Sequence, residues 1–160
     1  MSYIRWDSSL SIGIDIIDDQ HKQIIDYINE LESILGNEKF DKSFIANSDI
    51  LKNKIKSVLD NLINYTVSHF AFEEDLLEKA NYSFLDAHKK IHNSFIAKVT
   101  NYHERFIKGE DISSELLSAL KMWLISHIKK EDKDYASSVS KDLNKKTGGW
   151  FSSAIRKFFG

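Results

Sequence analysis

No proline occurs anywhere in this chain of 160 residues, and only six residues are glycine. Turns draw heavily on these two residue types, so a β-sandwich or barrel with its many turns is disfavoured. Hydrophobic residues make up 42% of the chain, which is enough to bury a core and argues against disorder along its whole length. The length suits about one domain. The composition therefore indicates a globular protein and disfavours an all-β fold.

Apolar residues recur every three or four positions in four segments, which is the spacing of one helix face. The predicted helices cover about residues 18–35, 48–80, 83–108 and 113–138, the last with residue 111 as an alternative start. Ser83 is a suitable N-cap, and Gly36 and Gly109 are suitable stops. The connections after the second helix are short, which makes neighbouring helices antiparallel. We therefore predict an all-α, up-down-up-down antiparallel four-helix bundle, with a longer first connection at residues 36–47. An extended N-terminal arm precedes the bundle and is packed down by Trp6.

Charge and cysteine content limit the function classes. The net charge is −2, so electrostatic capture of nucleic acid is not expected. There is no cysteine, which excludes disulfides, thiolate metal sites and cysteine nucleophiles. No apolar run has the length of a signal peptide or a membrane span, and we expect a cytoplasmic protein.

The last 20 residues differ from the rest of the chain. Residues 141–160 carry a net charge of +4, whereas the first 140 residues carry −6. We therefore divide the chain into a helical bundle at residues 1–140 and a basic, aromatic C-terminal tail at residues 141–160. Gly148 and Gly149 suit a hinge, and an amphipathic helical stripe follows them, formed by Trp150, Phe151, Ala154, Ile155, Phe158 and Phe159. Residues 147–160 suit either a membrane surface or acidic partner, or packing back onto the bundle.

The inward stripes contain polar residues at positions where apolar ones are expected. They are five histidines and two carboxylates: His21, His69, Glu73, His88, His92, His127 and Asp132. Residues four apart on a helix differ in direction by only about 40°, so the pairs at this spacing point the same way. Burying seven such groups without partners would cost roughly 1–3 kcal/mol each, more than a small domain can tolerate. A shared metal site removes this cost, because neutral imidazole and carboxylate are metal ligands.

The number of ligands fits two metal ions rather than one. If both carboxylates bridge the two ions together with an oxo or hydroxo group, an ion with three histidines is six-coordinate and closed. An ion with two histidines is then five-coordinate and has one open position. Mixed nitrogen and oxygen ligands in such a geometry suit iron. The sequence contains no Glu-x-x-His motif, which argues against a ferritin-like oxidase.

Four segments of the chain resemble the hemerythrins, in particular the stand-alone bacterial ones. The matching segments are GIDIIDDQH ending at His21, HFAFE from His69 to Glu73, HKKIH from His88 to His92, and WLISHIKKED ending at Asp132. The resemblance covers about residues 3–136. It implies that His88, His92 and His127 hold the closed iron, that His21 and His69 hold the open iron, and that Glu73 and Asp132 bridge them. Dioxygen would then bind at the open iron.

Reversible dioxygen binding requires a pocket from which water is excluded. Ile24, Phe70, Trp123, Leu124 and Ile128 lie beside or one turn from the expected ligands and are candidates for its lining. Tyr135, one turn beyond Asp132, is a candidate hydrogen-bond donor to a bridging carboxylate. His103 lies off the stripe, and we expect it to face solvent without a ligand role.

Three functions fit such a centre. A carrier or store of dioxygen is favoured over an enzyme, because the sequence shows no inward acid or base beyond the ligands. A sensor of oxygen, nitric oxide or redox state is the alternative, and it would have to signal through the tail. A di-iron reductase of peroxide or nitric oxide ranks third.

Overall fold

The computed structural model describes residues 3–36, 48–146 and 150–160, without the side chains of Ser113, residues 140–146 and Phe151. Its long helices are α1 (Asp15–Leu35), α2 (Asp49–Lys79), α3 (Leu85–Ile107) and α4 (Ser113–His127). A π-helical turn at Ile128–Asp132 joins α4 to α5 (Lys133–Lys146), and α6 (Trp150–Phe159) follows. The predicted connection at residues 36–47 and the glycine hinge at 148–149 lie almost entirely outside the described residues.

The first four helices form the predicted bundle. Helix α1 packs against α2 and α4, and α3 packs against the same two helices, so the four form a closed ring. Short connections of five residues, 80–84 and 108–112, separate α2 from α3 and α3 from α4. Gly109 adopts a φ of +91° in the second connection, a conformation that glycine reaches without strain. The all-helical fold predicted from the sequence is thus present in the described residues.

Several helix boundaries differ from the prediction: the first helix begins at Asp15 rather than at about residue 18, and helical structure after Ser113 continues to Lys146 rather than ending at about residue 138. Gly36 caps the end of α1, and the Ser48 hydroxyl accepts a hydrogen bond from the Leu51 amide at the start of α2. The prediction that Ser83 caps α3 is wrong. Phe84 occupies the cap position without a side-chain hydrogen bond, and a turn closed by a hydrogen bond of 3.3 Å from the Leu85 amide to the Tyr82 carbonyl precedes the helix.

The N-terminal arm lies along the bundle, as expected. The Asn29 side-chain oxygen accepts a hydrogen bond from the Ile4 amide, and its amide nitrogen donates to the Ile4 carbonyl, both at 2.9 Å. Trp6 is half-buried against the core. Nearer α1, the Asp18 carboxylate accepts a hydrogen bond of 2.9 Å from the Ile12 amide. The arm therefore closes the bundle beside the first turns of α1.

Two apolar clusters occupy the interior. The larger contains Ile24, Phe70 and Ile128, and the smaller contains Ile17, Leu76 and Tyr135. The predicted ligand positions on α1, on α2 and in the π turn each lie between a member of one cluster and a member of the other. The polar side chains therefore form a layer between two dry regions of core.

Helix α6 packs back onto α2, which was one of the two alternatives for the tail. The Trp150 indole nitrogen donates a hydrogen bond of 2.8 Å to an Asp75 oxygen. The Phe72 ring lies 5.1 Å from the Trp150 ring and 6.1 Å from the Phe159 ring, measured between centroids. Ala154 is buried in the smaller cluster. Much of the apolar stripe predicted for residues 147–160 is thus used inside the protein. The division of the chain at residues 140/141 stays a prediction, and that boundary falls within α5.

Candidate metal centre

The seven predicted ligand side chains meet in the middle of the bundle. Each is at most 3% exposed. Helix α1 supplies His21, and α2 supplies His69 and Glu73. Helix α3 supplies His88 and His92, α4 supplies His127, and Asp132 lies at the end of the π turn. This layer therefore draws on all four walls of the bundle.

Three histidines surround a pair of oxygens, one from each carboxylate, and each of these oxygens lies near two of the three rings. Glu73 Oε1 lies 2.6 Å from His88 Nε2 and 3.2 Å from His92 Nε2. Asp132 Oδ1 lies 3.1 Å from His127 Nε2 and 3.3 Å from His88 Nε2. The ligand atoms of these five residues all lie within 4.8 Å of one another, close enough to hold a single ion.

The other oxygen of each carboxylate faces the remaining two histidines. Glu73 Oε2 lies 3.5 Å from His69 Nε2, and Asp132 Oδ2 lies 3.1 Å from His21 Nε2. Both carboxylates therefore divide their two oxygens between a three-histidine group and a two-histidine group. Two adjacent ions sharing these carboxylates would use the oxygens in this way.

The π turn at Ile128–Asp132 brings the last ligand into the layer. In a regular α-helix, residues five apart, such as His127 and Asp132, would point roughly 140° apart. A π turn is hydrogen bonded from residue i to i+5 and brings such positions closer to one face. We did not predict this turn from the sequence, although two inward ligands separated by five residues are a signal of it.

Two hydrogen bonds orient the proposed ligands from outside. The Gln20 side-chain oxygen lies 2.6 Å from His69 Nδ1, where it accepts a hydrogen bond from the ring N–H and leaves Nε2 to face the centre. The Tyr135 hydroxyl donates a hydrogen bond of 3.0 Å to Glu73 Oε2, as the sequence suggested for a bridging carboxylate. Gln20 was not predicted, although an amide within the apolar stripe of α1 was a visible signal.

Two further carboxylates that the sequence reasoning missed lie behind the three-histidine group. Glu131 Oε2 is 3.5 Å from His127 Nδ1, and Glu74 Oε2 is 3.8 Å from His92 Nδ1. Both carboxylates are partly exposed, and each faces the outer nitrogen of a ring whose inner nitrogen faces the centre. Glu131 lies four residues after His127, a spacing that places it on the same side of the helix.

Burial and pairing shift the pKa values of the cluster in opposite directions. Burial lowers the pKa of His69 to about 3. Burial also opposes a charge on His88, but its close contacts with the carboxylates of Asp132 and Glu73 outweigh it and raise the pKa of His88 to about 10. Burial and the nearby Asp132 raise the pKa of Glu73, yet hydrogen bonds from His88 and His92 hold it below its ordinary value. Protons on imidazoles thus balance the buried carboxylates, and a cation can replace those protons.

Several buried polar atoms in this layer fit metal ligation better than hydrogen bonding. His21 Nε2, His69 Nε2 and both Asp132 oxygens are buried without a hydrogen-bond partner among the described residues. His92 Nε2 and His127 Nε2 lie 3.1 Å apart. Two nitrogens bound at right angles to one ion, at about 2.1 Å each, would be about 3.0 Å apart. The donor set therefore fits a pair of metal ions.

The predicted pocket residues surround this layer. Ile24, Leu124 and Ile128 are buried in the larger cluster. Phe70 stacks on the His92 ring at 3.7 Å between centroids, and the half-buried Trp123 stacks on the His127 ring at 4.4 Å. These two aromatic residues therefore pack on the three-histidine group.

Phe95, which the sequence reasoning did not include, extends this aromatic wall. Its ring stacks on Trp123 at 3.8 Å between centroids. Phe95 lies three residues after His92, so its place on the same helix face was open to prediction.

The sixth histidine differs from its prediction. His103 does not face solvent: its Nε2 lies 2.7 Å from Asp60 Oδ1 on α2, and its side chain is only 18% exposed. It crosses to the neighbouring helix because Asp60 offers a carboxylate there. His103 belongs to neither group of ligand atoms within reach of one ion among the described residues.

The fold and the buried His/Glu/Asp layer define a metal-binding helical bundle. The family model of the hemerythrin HHE cation-binding domain matches residues 12–138. A bacteriohemerythrin of Stenotrophomonas maltophilia is 40% identical over the full length of both chains. A bacteriohemerythrin of Methylococcus capsulatus is 30% identical, over 88% of this chain and 99% of its own. A crystal structure of wild-type hemerythrin aligns with a TM-score of 0.74 and 28% identity, covering 87% of this chain and 99% of its own. The chain therefore belongs to the hemerythrin family.

No helix among residues 3–36, 48–146 and 150–160 combines the length and apolar character needed to cross a bilayer.

Proposed function

We propose that this protein binds dioxygen reversibly at a non-haem di-iron centre and serves as a carrier or store. One observation carries the proposal: Glu73 and Asp132 each direct one oxygen towards the group of three histidines and the other oxygen towards the group of two. Such an arrangement suits two ions with unequal numbers of nitrogen ligands. With bridging oxygens completing both shells, the ion with fewer nitrogens keeps a free position.

We propose the following roles for the seven side chains. His88, His92 and His127 would hold one iron, His21 and His69 would hold the other, and Glu73 and Asp132 would give one oxygen to each iron, with an oxo or hydroxo group completing the cofactor. When bound, the iron pair supplies two electrons and an open position for dioxygen. The membership of the chain in the hemerythrin family and the convergence of the ligand atoms support these roles.

The surrounding residues protect the centre from water. Ile24, Leu124 and Ile128 are each at most 3% exposed, and Phe70 is 2% exposed. We propose that they line the dioxygen pocket, because an apolar wall keeps bulk protons away from bound dioxygen. Gln20 and Tyr135 fix the orientation of His69 and Glu73 from outside.

We propose a binding protein rather than an enzyme. On the two-histidine side, where dioxygen would bind, Gln20 and Tyr135 are the described non-ligand side chains hydrogen-bonded to a proposed ligand, and burial raises the pKa of Tyr135 well above 10. Gln20 carries no titratable proton. Neither residue can deliver a proton readily at neutral pH, as peroxide reduction would require.

The test is repeated oxygenation of the purified, iron-loaded protein. We expect about two irons per chain and an optical spectrum that appears under oxygen and disappears under argon over many cycles. His69→Ala should reduce or abolish this response, whereas the matched variant His103→Ala should keep both irons and the spectrum. Irreversible oxidation of the wild-type protein at its first exposure would contradict the carrier role, and equal iron loss in both variants would contradict the ligand roles.

A sensing role is the second candidate, because α6 packs on the residue that precedes a proposed ligand in the chain. Its aromatic residues pack on Phe72, the neighbour of Glu73 in the chain. A change at Glu73 could therefore alter the packing of α6. Hydrogen exchange of residues 150–160, compared between the oxygenated and deoxygenated protein, tests this role; equal exchange would count against it.

A membrane or acidic partner remains a separate proposal for the tail. Arg156 and Lys157 are exposed, as is Ile155 at 41%, so this face of α6 is available although its aromatic face is not. Co-sedimentation with anionic vesicles, comparing the wild-type chain with the double variant R156E/K157E, tests this proposal. Equal sedimentation of the two proteins would contradict it.

A further inference from the structure

We propose that the chain makes its two metal positions electrostatically unequal, so that the three-histidine position favours the higher metal charge. The two-histidine position, formed with His21 and His69, then favours the lower charge. The inference rests on the proposed di-iron site and concerns residues outside the set of ligands. It follows from the contacts that lie behind the histidine rings and behind Glu73.

Anionic groups stand behind the three-histidine position. The carboxylate of Glu131 lies 3.5 Å from His127 Nδ1, and that of Glu74 lies 3.8 Å from His92 Nδ1. A carboxylate behind a metal-binding imidazole makes the ring a stronger donor and adds negative charge near the ion. Both glutamates are shielded from solvent over about three quarters of their side chains, at 25% and 21% exposure, so their charges are only partly screened.

The contact found behind the two-histidine position in the described part of the chain is a neutral one. His69 Nδ1 donates to the Gln20 amide oxygen at 2.6 Å. His21 Nδ1 is buried without a hydrogen-bond partner among the described residues. The buried carboxylate of Asp18, on the same helix, accepts hydrogen bonds from the Ile12 amide and the Ser11 hydroxyl instead of from a histidine ring. Among the described residues, the outer nitrogens of His21 and His69 therefore contact no carboxylate.

The bridging carboxylate Glu73 adds to the difference. Its Oε2, which faces His69, also accepts the hydrogen bond from Tyr135. Its Oε1, which faces His88 and His92, receives no such bond from Tyr135. A hydrogen bond draws electron density from the oxygen that accepts it, so Glu73 donates less to the two-histidine position. All these contacts act in the same direction.

The inequality predicts which iron loses the first electron. When a diferrous centre gives one electron to a one-electron oxidant such as ferricyanide, the electron leaves the iron at the three-histidine position. The products are one ferric iron, one ferrous iron and ferrocyanide, with no change of ligands. The iron with the open position remains ferrous in this mixed-valence state.

The experiment is an anaerobic redox titration of the full-length, iron-loaded protein. Glu131→Gln removes a charge behind the three-histidine position while keeping the side-chain shape, and it should raise the first midpoint potential. A unit charge several ångströms away, at an effective dielectric constant of about 20 and partly screened, changes the equilibrium about tenfold. For one electron this is about 59 mV. Gln20→Glu should instead lower the second potential by a similar amount, and Glu30→Gln, on the exposed side of α1, should change neither.

A second readout assigns the ferric iron directly. Electron–nuclear double resonance on the mixed-valence protein with ¹⁵N-labelled histidine should show three coordinated imidazoles on the ferric ion. If Glu131→Gln does not take up two irons, Glu74→Gln is measured in the same way. A ferric ion with two imidazoles, or a first potential that responds to Gln20→Glu and not to Glu131→Gln, would overturn the proposal. Dioxygen is absent throughout, so failure of the carrier function would leave this result unaffected.

Discussion

Substitution of Tyr135 by phenylalanine tests how much the hydrogen bond to Glu73 contributes. Tyr135 is fully buried, and its hydroxyl is 3.0 Å from a buried carboxylate oxygen. A hydrogen bond to a charged group contributes about 1.5–3 kcal/mol, and its loss leaves the carboxylate less well satisfied. We therefore expect Tyr135→Phe to lower the free energy of unfolding of the metal-free protein by about 2 kcal/mol. For a domain of this size, the melting temperature should fall by about 4–8 °C.

The assay is urea denaturation of the metal-free protein, followed by the far-UV signal of its helices. The midpoint should fall while the slope with urea stays constant, since the substitution changes stability rather than compactness. Tyr65→Phe is the matched control, because the Tyr65 ring lies half-buried against Tyr27 and Phe159, away from the metal layer. Equal losses in both variants, or no loss in Tyr135→Phe, would refute the reasoning. Metal loading should reduce the difference, because a cation stabilises the same Glu73 oxygen.

Three further substitutions or conditions give distinct outcomes. Leu124→Ala should open the apolar wall beside His127 and speed irreversible oxidation of the iron-loaded protein, as followed by its optical spectrum in air; an unchanged rate would argue against a lining role. Since the pKa of His88 is raised to about 10, its pairing with carboxylates stabilises the metal-free protein at neutral pH and is lost as the pH rises through 10. Binding of ferrous iron at pH 7 should consequently release at least one proton per chain, measurable in weakly buffered solution, and loading should weaken towards acid pH. Phe72→Ala should lower the free energy of unfolding by about 3–5 kcal/mol and weaken the packing of α6. Trypsin should then cleave after Arg156 or Lys157 sooner than in the wild type. Equal cleavage rates would mean that Phe72 does not hold α6 in place.

The local pattern of the sequence was sufficient to predict four long helices and the inward faces on which the seven proposed ligands lie. A side chain's direction relative to its own helix axis depends on its position in the 3.6-residue repeat, so His69 and Glu73 could be placed on one face. The same rule placed His88 with His92. This rule cannot predict which residue of another helix a side chain contacts, because that contact depends on how the two helices rotate and slide against each other.

The contacts missed from the sequence are of this second kind. His103 reaches Asp60 across 43 positions of the chain, and Gln20 reaches His69 across 49. The π turn is a different case. Its backbone departs from the regular α-helical hydrogen-bond pattern, and this departure brings Asp132 close to proposed ligands on other helices. No preference of the residues at Ile128–Asp132 specifies that departure on its own.

The sequence by itself determined which side chains could meet: five histidines and two carboxylates on inward faces, in a chain whose composition disfavours an all-β fold. Only the tertiary structure decided that Glu73 and Asp132 each split their oxygens between two unequal histidine groups, and that α6 packs on α2 rather than standing free. The reason is physical. Periodicity fixes the direction of each side chain about its own axis, but the distances between atoms on different helices are set by the packing of all the helices together.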